Sequence, residues 1–305
     1  MEPIKSLDEM VKIVRERPSK RLVVANGHDP HTIEATYRAA REKLVNVTLV
    51  GDKEKIEKLS SEKKLDISIF EIIDIKDVWE AGELARNMVI EGRADILMKG
   101  LIPTDIYMKI ILHGKEGLLR KGNILSHVAV VEVPNWPRLL FISDIAVIPA
   151  PNENQKTQML KYAIKVAHAF GLKTPKAALI AATERVSDKM QATLEAANIA
   201  QRAEKGEIPD AIVDGPLAID LAVSKEACEI KGFKSKICGD ADILIFPCIE
   251  SANVFFKTLT EFAGASLAGI VMGTSYPCVL TSRADSEKSK FYSIALAAFL
   301  ERTDV

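Results

Sequence analysis

The chain alternates short apolar runs with stretches whose apolar residues recur every three or four positions. The runs are "RLVVAN" (21–26), "NVTLVG" (46–51), "ISIFEII" (67–73), "ADILMKG" (94–100), "SHVAVVEV" (126–133), "RLLFISD" (138–144), "KAALIAAT" (176–183), "AIVDG" (211–215), "ADILIFPCI" (241–249), "LAGIVMG" (267–273) and "PCVLTS" (277–282). Each has the length of a strand, and most are apolar at consecutive positions, the pattern of strands covered on both faces. The stretches between them put Tyr37, Ala40 and Leu44 on one helical face, and Met159, Tyr162, Ala163, Val166 and Ala167 on another. Strand and helix in turn predict mainly parallel sheets covered by helices, a doubly wound α/β protein.

Two places break the rhythm. Only the short segment from Pro134 to Pro137 separates two of the runs, too little for a helical crossover, so an antiparallel hairpin is expected there. The segment "AVIPAPNENQ" (146–155) is rich in proline and asparagine and has no period, which marks a crossing between domains. A long helix from about 153 to 170 then opens the second domain. The last helix, roughly 284–300, gathers Phe291, Ile294, Ala295, Ala298 and Phe299 on one face and has no later strand to serve. It is expected to return to the first domain. The predicted division is therefore 1–148 with 284–305, and 149–283. A chain of 305 residues is long enough for two cores of this size.

Charge narrows the function classes. Lys and Arg number 41 and Asp and Glu 42, so no overall field favours nucleic acid or an anionic membrane. The opening "MEPIKSLDEM" has no apolar core of a signal peptide, and no run approaches the roughly 20 apolar residues of a membrane helix. A cytoplasmic protein is expected. Cys228, Cys238, Cys248 and Cys278 form no C-x-x-C pair. They read as small buried hydrophobes, with neither zinc nor a disulfide.

The familiar phosphate loops G-x-x-x-x-G-K-[ST] and G-x-G-x-x-G are missing, as is the G-x-S-x-G elbow of α/β hydrolases. The loop "VVANGHDPHT" carries His28 and His31 around Asp29, either a metal pair or a polar cap for a helix starting near Pro30. Polar residues recur where apolar runs end, at Lys99, Asp144, Asp214, and Ser282 with Arg283. Ligands of open α/β sheets bind outside those strand ends. Lys99 is either a ligand-binding residue or half of a buried pair with a carboxylate. Arg120 lies ahead of Ser126 and His127, a basic and hydroxylic set suited to phosphate or carboxylate. Asn253 and Lys257 sit four apart at the start of a predicted helix. Ser282 and Asp285 have the S-x-x-D spacing of a capping box, with Arg283 between them, so one short stretch reads both as a helix start and as an anion site.

Taken together, "ADILMKGLIPTD", "GLLRKGNILSHVAV", "RLLFISDIAV", "IVDGPLAIDLAVSKEA", "GDADILIFPCIESANVFFKTL", "FAGASLAGIVMG" and "VLTSRADSEKSK" resemble the phosphate acetyl/butyryltransferase family, in family order from residue 94 to 290. The segments "KGL", "LSHVAV" and "TSRADS" are closest to the phosphate butyryltransferase branch. The resemblance implies the reaction acyl-CoA + phosphate ⇌ acyl phosphate + CoA, with no metal and no cofactor beyond the CoA substrate. It implies two α/β/α domains like those of isocitrate and isopropylmalate dehydrogenases, an active site in the interdomain cleft, a homo-oligomer, and an acyl (butyrate) kinase as functional partner. The family's Ser-Arg pair falls on Ser282 and Arg283, as catalytic residues for phosphate and the departing thiolate. Lys99, Arg120, Ser126, His127, Asp144, Asn253 and Lys257 then become expected contacts for phosphate or CoA.

Two positions depart from the acetyltransferase pattern. The aspartate assigned there as base corresponds to Ser289, so Asp285 is the catalytic carboxylate expected to substitute, and where those members carry an arginine on the helix after Lys99 this helix offers only Lys109, so Lys99 is expected to supply that charge from the strand end. A phosphate acetyltransferase is the main alternative. A metal- and NAD-dependent hydroxyacid dehydrogenase of related fold and a non-catalytic CoA-binding protein are the others.

Overall fold

The computed structural model describes residues 2–113, 117–134 and 136–302, which fold into two compact units. In chain order the first part gives α1 (Leu7–Arg15), β1 (Lys20–Ala25), α2 (Pro30–Arg41), β2 (Val45–Gly51), α3 (Lys53–Glu62), β3 (Phe70–Asp74), α4 (Val78–Ile90), β4 (Ile96–Lys99) and α5 (Thr104–Leu112). The middle gives β5 (Ser126–Glu132), β6 (Leu140–Ser143), α6 (Glu153–Ala169), β7 (Lys176–Ile180), α7 (Gln191–Glu204), β8 (Ile212–Leu217), α8 (Ile219–Val223), α9 (Lys225–Lys231), β9 (Ile243–Ile245) and α10 (Ile249–Ala263). The chain closes with β10 (Ser266–Met272), β11 (Cys278–Val279) and α11 (Glu287–Phe299).

One unit comprises residues 7–123 and 267–302, with strand order β3-β2-β1-β4-β11-β10. β1 is parallel to both β2 and β4, and its Leu22 to Ala25 are wholly buried, as a strand apolar at every position requires. β10 and β11 are antiparallel, a reversal that apolar runs alone do not announce. The other unit comprises residues 2–6 and 124–266, with order β5-β6-β9-β7-β8. Its β5 and β6 form the expected antiparallel hairpin, Val128 opposite Ser143. Asn135, in the turn of that hairpin, lies outside the described residues. The helix expected from about 153 is α6, closed at its start by a capping box of Asn152 and Gln155.

The division falls at 123/124 and 266/267, whereas the apolar pattern placed it near 148 and 283. Two pairings account for the difference. β6 bonds to β9, Phe141 opposite Ile243, so the hairpin goes with the middle of the chain. β11 bonds to β4, Val279 opposite Met98, so the closing strands go with the beginning.

One further expectation is corrected. Cys228 and Cys238 are joined as a disulfide, because the turn after α9 brings the chain back so that their Cα atoms are 6.0 Å apart. Cys248 and Cys278 are free. In the last helix the burial extends beyond the apolar face, to every residue of α11 from Ser289 to Phe299. It packs on α1 and α2, and its Ser293 Oγ accepts from the Gly269 N–H of β10 at 3.0 Å while donating to Ser289 O at 2.8 Å.

Gly100 sets how closely β4 can end against β1. Its N–H donates to Ala25 O at 2.9 Å and that of Leu101 to Asn26 O at 2.8 Å, and a Cβ added at Gly100 would stand 2.4 Å from Asn26 O and 2.8 Å from Ala25 O. Both neighbours are backbone and cannot step aside without breaking those bonds. Gly100→Ala is therefore expected to lower the stability to urea by about 2 kcal/mol or more, and an unchanged unfolding midpoint would contradict the close approach.

Candidate functional site

In the first-described unit, three neighbouring strands deliver polar groups to one end of the sheet. β1 runs into Asn26 to Asp29, β4 ends at Lys99, and β11 runs through Leu280 and Thr281 to Ser282. Ala25 lies opposite Lys99, and Met98 opposite Val279, so register alone brings these ends together. All three are carboxyl ends of parallel strands, where ligands of such sheets bind.

Lys99 is 3% exposed, and its Nζ makes one long hydrogen bond, 3.3 Å to the carbonyl of the next residue, Gly100. Lys290, 2% exposed on the first turn of α11, points its Nζ back to Ser282 O at 2.9 Å and Thr281 Oγ1 at 3.5 Å. Among the described residues neither ammonium forms a salt bridge. Lys156 shows the ordinary alternative, since in the other unit this buried lysine is paired with the buried Glu195. Of the two readings of Lys99, the buried pair with a carboxylate is not formed among the described residues.

The charges nearby do not balance. Burial, followed by the adjacent Lys290 and Arg283, lowers the Lys99 ammonium to about 8, against the weaker pull of Asp29 and Asp285. Burial also lowers Lys290, with the same two aspartates opposing. Both aspartates are already engaged by backbone. Asp29 Oδ2 accepts the Thr32 N–H at 3.1 Å as N-cap of α2, and Asp285 Oδ2 accepts the Ser282 N–H at 2.7 Å. Two buried ammonium groups and the exposed Arg283 guanidinium thus face two carboxylates. Buried charge without a close partner costs several kcal/mol, which an anion held between these groups would offset.

The stretch around Ser282 is a turn and not the helix start. Ser282 Oγ is 3.4 Å from the Ala284 N–H, and α11 begins five residues later at Glu287, with Ser286 as the N-cap whose side chain accepts from Ser289 N at 3.2 Å. The capping box predicted for Ser282 and Asp285 is thus half present, because Asp285 reaches back to the Ser282 N–H while Ser282 does not cap. This leaves Ser282 and Arg283 exposed and clear of the helix. Ser289 is spent on the cap, receiving the Ser286 hydroxyl at 3.2 Å.

The remaining candidates have other surroundings. Arg120 in the same unit donates through Nη2 to Arg302 O, and its N–H donates to Gly273 O at 3.1 Å. Asp29 proves to be the helix cap, with Pro30 at the first helical position, and His28 turns its buried Nδ1 toward Gly51 on β2. In the other unit, Ser126 Oγ lies 3.2 Å from Ser143 Oγ, and the His127 N–H donates to Asp144 Oδ2 at 3.1 Å. Asp144 also accepts from the N–H groups of Ala146, Val147 and Ile148, so its carboxylate orders the turn after β6. Asn253 on α10 donates to Ile145 O at 3.0 Å, steadying the same turn. Lys257 is exposed, with Nζ 5.4 Å from the Phe256 ring centre. Asp214 accepts from the Ser235 hydroxyl and the Gly215 N–H.

Sequence reading missed Lys290. Its signal was its register, four residues before Ile294 on the apolar side of α11. A lysine in that register must be buried or the helix turned.

The family model for phosphate acetyl/butaryl transferase matches residues 6–89 and 78–298. A phosphate butyryltransferase of Clostridium beijerinckii is 42% identical over 97% of this chain and 98% of its own. A phosphate acetyltransferase of Thermotoga maritima is 44% identical over 96% of this chain and 98% of its own. The crystal structure of a branched-chain phosphotransacylase from Enterococcus faecalis, 33% identical, superposes with a TM-score of 0.79 over 92% of this chain and 99% of that one.

The uncompensated charge makes a stability prediction. The folded Lys99 holds its proton less tightly than the unfolded side chain, so its charged form penalises folding below about pH 8, and the penalty fades as pH rises toward the unfolded value. Lys99→Met should therefore be more stable than the native chain at pH 7, by on the order of 1–2 kcal/mol. The gap should close near pH 10. A less stable variant at both pH values, by urea unfolding, would show that Lys99 is compensated after all.

Proposed function

The chain belongs to the phosphate acetyl/butaryl transferase family and is an acyltransferase, and from that premise we propose that it converts a short-chain acyl-CoA, butyryl-CoA first, and inorganic phosphate to acyl phosphate and CoA. The observation that carries the reading is the pair of buried ammonium groups at the ends of β1, β4 and β11, Lys99 and Lys290, which form no salt bridge to a carboxylate among the described residues. A phosphate dianion supplies the missing charge. A neutral or cationic substrate would not.

In this reading phosphate lies against Lys99 and Arg283, with a nucleophilic oxygen turned to the thioester carbonyl. Attack builds negative charge first on the carbonyl oxygen and then on sulfur. Arg283, exposed and without a hydrogen-bonded partner among the described residues, is free to follow that charge. Ser282 offers its hydroxyl to the same atoms, and Asp285 holds the turn that presents it. Fixed donors around developing charge, and reactants held in place, are what such a transfer needs. No metal and no cofactor beyond CoA enters the proposed steps. Arg120, Ser126, His127, Asp144, Asn253 and Lys257 remain proposed contacts for CoA or phosphate, those of the last group that order the turn after β6 acting through it.

The finer parts of the reading rest on the family likeness. They are an isocitrate dehydrogenase-like pair of domains, a homo-oligomer, a cytoplasmic setting, and an acyl kinase that consumes the acyl phosphate. Acyl length is not fixed by overall likeness, because identity to the butyryltransferase (42%) and to the acetyltransferase (44%) is nearly equal. The apolar side chains that floor an acyl pocket decide it.

A free-thiol assay tests the reading. Phosphate-dependent release of CoA is expected with acetyl-, propionyl-, butyryl- and isobutyryl-CoA, fastest with butyryl-CoA. No release with any of them would sink the assignment, and a maximum at acetyl-CoA would replace butyryl by acetyl. Arg283→Ala should cut kcat/KM by about 100-fold or more while the protein stays folded. An unaffected rate would remove Arg283 from the chemistry.

A further inference from the structure

The reaction moves one proton, and no residue has yet been given it. Hydrogen phosphate enters with a proton on oxygen, and CoA leaves with one on sulfur. The position expected to hold a carboxylate base is Ser289, whose N–H and hydroxyl are both taken up by the cap of α11. Asp285 is occupied on Oδ2 by the Ser282 N–H, and Asp29 on Oδ2 by the Thr32 N–H. His28 lies by Gly51 near the start of α3, where burial and Lys55 lower its proton affinity against the pull of Asp52 and Asp29, so it is held toward the neutral form. Lys290 Nζ is committed to Ser282 O at 2.9 Å.

Lys99 differs from all of these. It is buried at the strand end beside the Ser282 turn, and among the described residues its one hydrogen bond is the long one to Gly100 O. An amine so placed has its donors, and when neutral its lone pair, open to a ligand. Resting on the phosphate acyltransfer reading above, we propose that Lys99 Nζ carries the proton of the reaction, taking it from hydrogen phosphate and giving it to the departing sulfur.

The step balances without any other reagent. A phosphate oxygen forms the new bond to the carbonyl carbon, the carbon–sulfur bond breaks, and its electron pair stays on sulfur. The Lys99 ammonium protonates that sulfur to give the CoA thiol, and the neutral amine recovers a proton from the phosphate hydroxyl. In reverse the amine takes the thiol proton. The charged groups facing Lys99 are Lys290 of α11, Arg283 and Asp285 of the preceding turn, and Asp29 at the start of α2. Together with burial they leave the ammonium at about 8, close enough to neutral pH for an amine to give and regain a proton in each turnover.

The experiment compares Lys99→Arg and Lys99→Ala in the full chain, with folding checked by circular dichroism. Arginine keeps the charge but does not release a proton in this pH range. Lys99→Arg should hold the KM for phosphate within a few-fold, lose about 100-fold or more in kcat, and lack the limb near pH 8 that the native profile is expected to show. Lys99→Ala should regain rate with added ethylamine and not with guanidinium, which restores charge alone. An arginine variant with native kcat and pH profile overturns the proposal, as does rescue by guanidinium equal to that by ethylamine. A native chain that releases no CoA overturns the acyltransfer reading itself, and is told apart because it precedes any variant.

Discussion

The site depends on a lysine placed where its countercharge cannot follow. Lys99 closes β4 with its side chain out of water, followed by Gly100, and the strands on either side of it, β1 and β11, carry no carboxylate. Elsewhere the same chain solves this problem in the usual way, by setting Glu195 against Lys156. Leaving Lys99 and Lys290 without that partner lowers the stability of the empty protein and stores the difference for an anion. Natural proteins accept such costs at functional sites, where the fold pays with the surplus of its core.

The fold makes the arrangement possible by simple means. Parallel register brings the carboxyl ends of β1, β4 and β11 to one level, and Gly100 lets β4 end close under the Asn26 carbonyl. α11, buried from Ser289 to Phe299, then brings Lys290 in from the end of the sequence. Its apolar length, from Phe291 to Leu300, anchors the helix so firmly that the lysine on its first turn has no way out to solvent. Between β11 and α11 the turn holds Ser282 and Arg283 exposed while Asp285 fixes its backbone. Fixed buried charge and a free exposed guanidinium therefore meet at one place.

Much of this was legible in the sequence, for reasons that can be stated. Consecutive apolar residues identified the strands, and the polar residue ending each run identified Lys99, Ser282 and Arg283, because a parallel sheet collects its strand ends. What escaped depends on pairing across long separations. The unit boundaries follow from β6 bonding to β9 and β11 bonding to β4, which no local pattern records. The disulfide of Cys228 and Cys238 depends on a turn after α9 that spacing does not specify. Ser282 and Asp285 matched a capping spacing, yet Ser286 caps instead, because two successive S-x-x-polar patterns compete and tertiary packing of α11 chooses between them. Lys290 was passed over since lysines at helix starts are usually solvated, and only its register with Ile294 argued otherwise.

The central claim is that buried, unpaired ammonium groups at the strand ends await an anion. It is tested most directly by calorimetric titration of the native chain with inorganic phosphate near pH 8.5, in buffers of different ionisation enthalpy. Phosphate beside Lys99 should raise its affinity for a proton, so binding should draw protons from the buffer, and the uptake should vanish in Lys99→Met. Phosphate binding with no proton uptake, or the same uptake in Lys99→Met, would contradict the account.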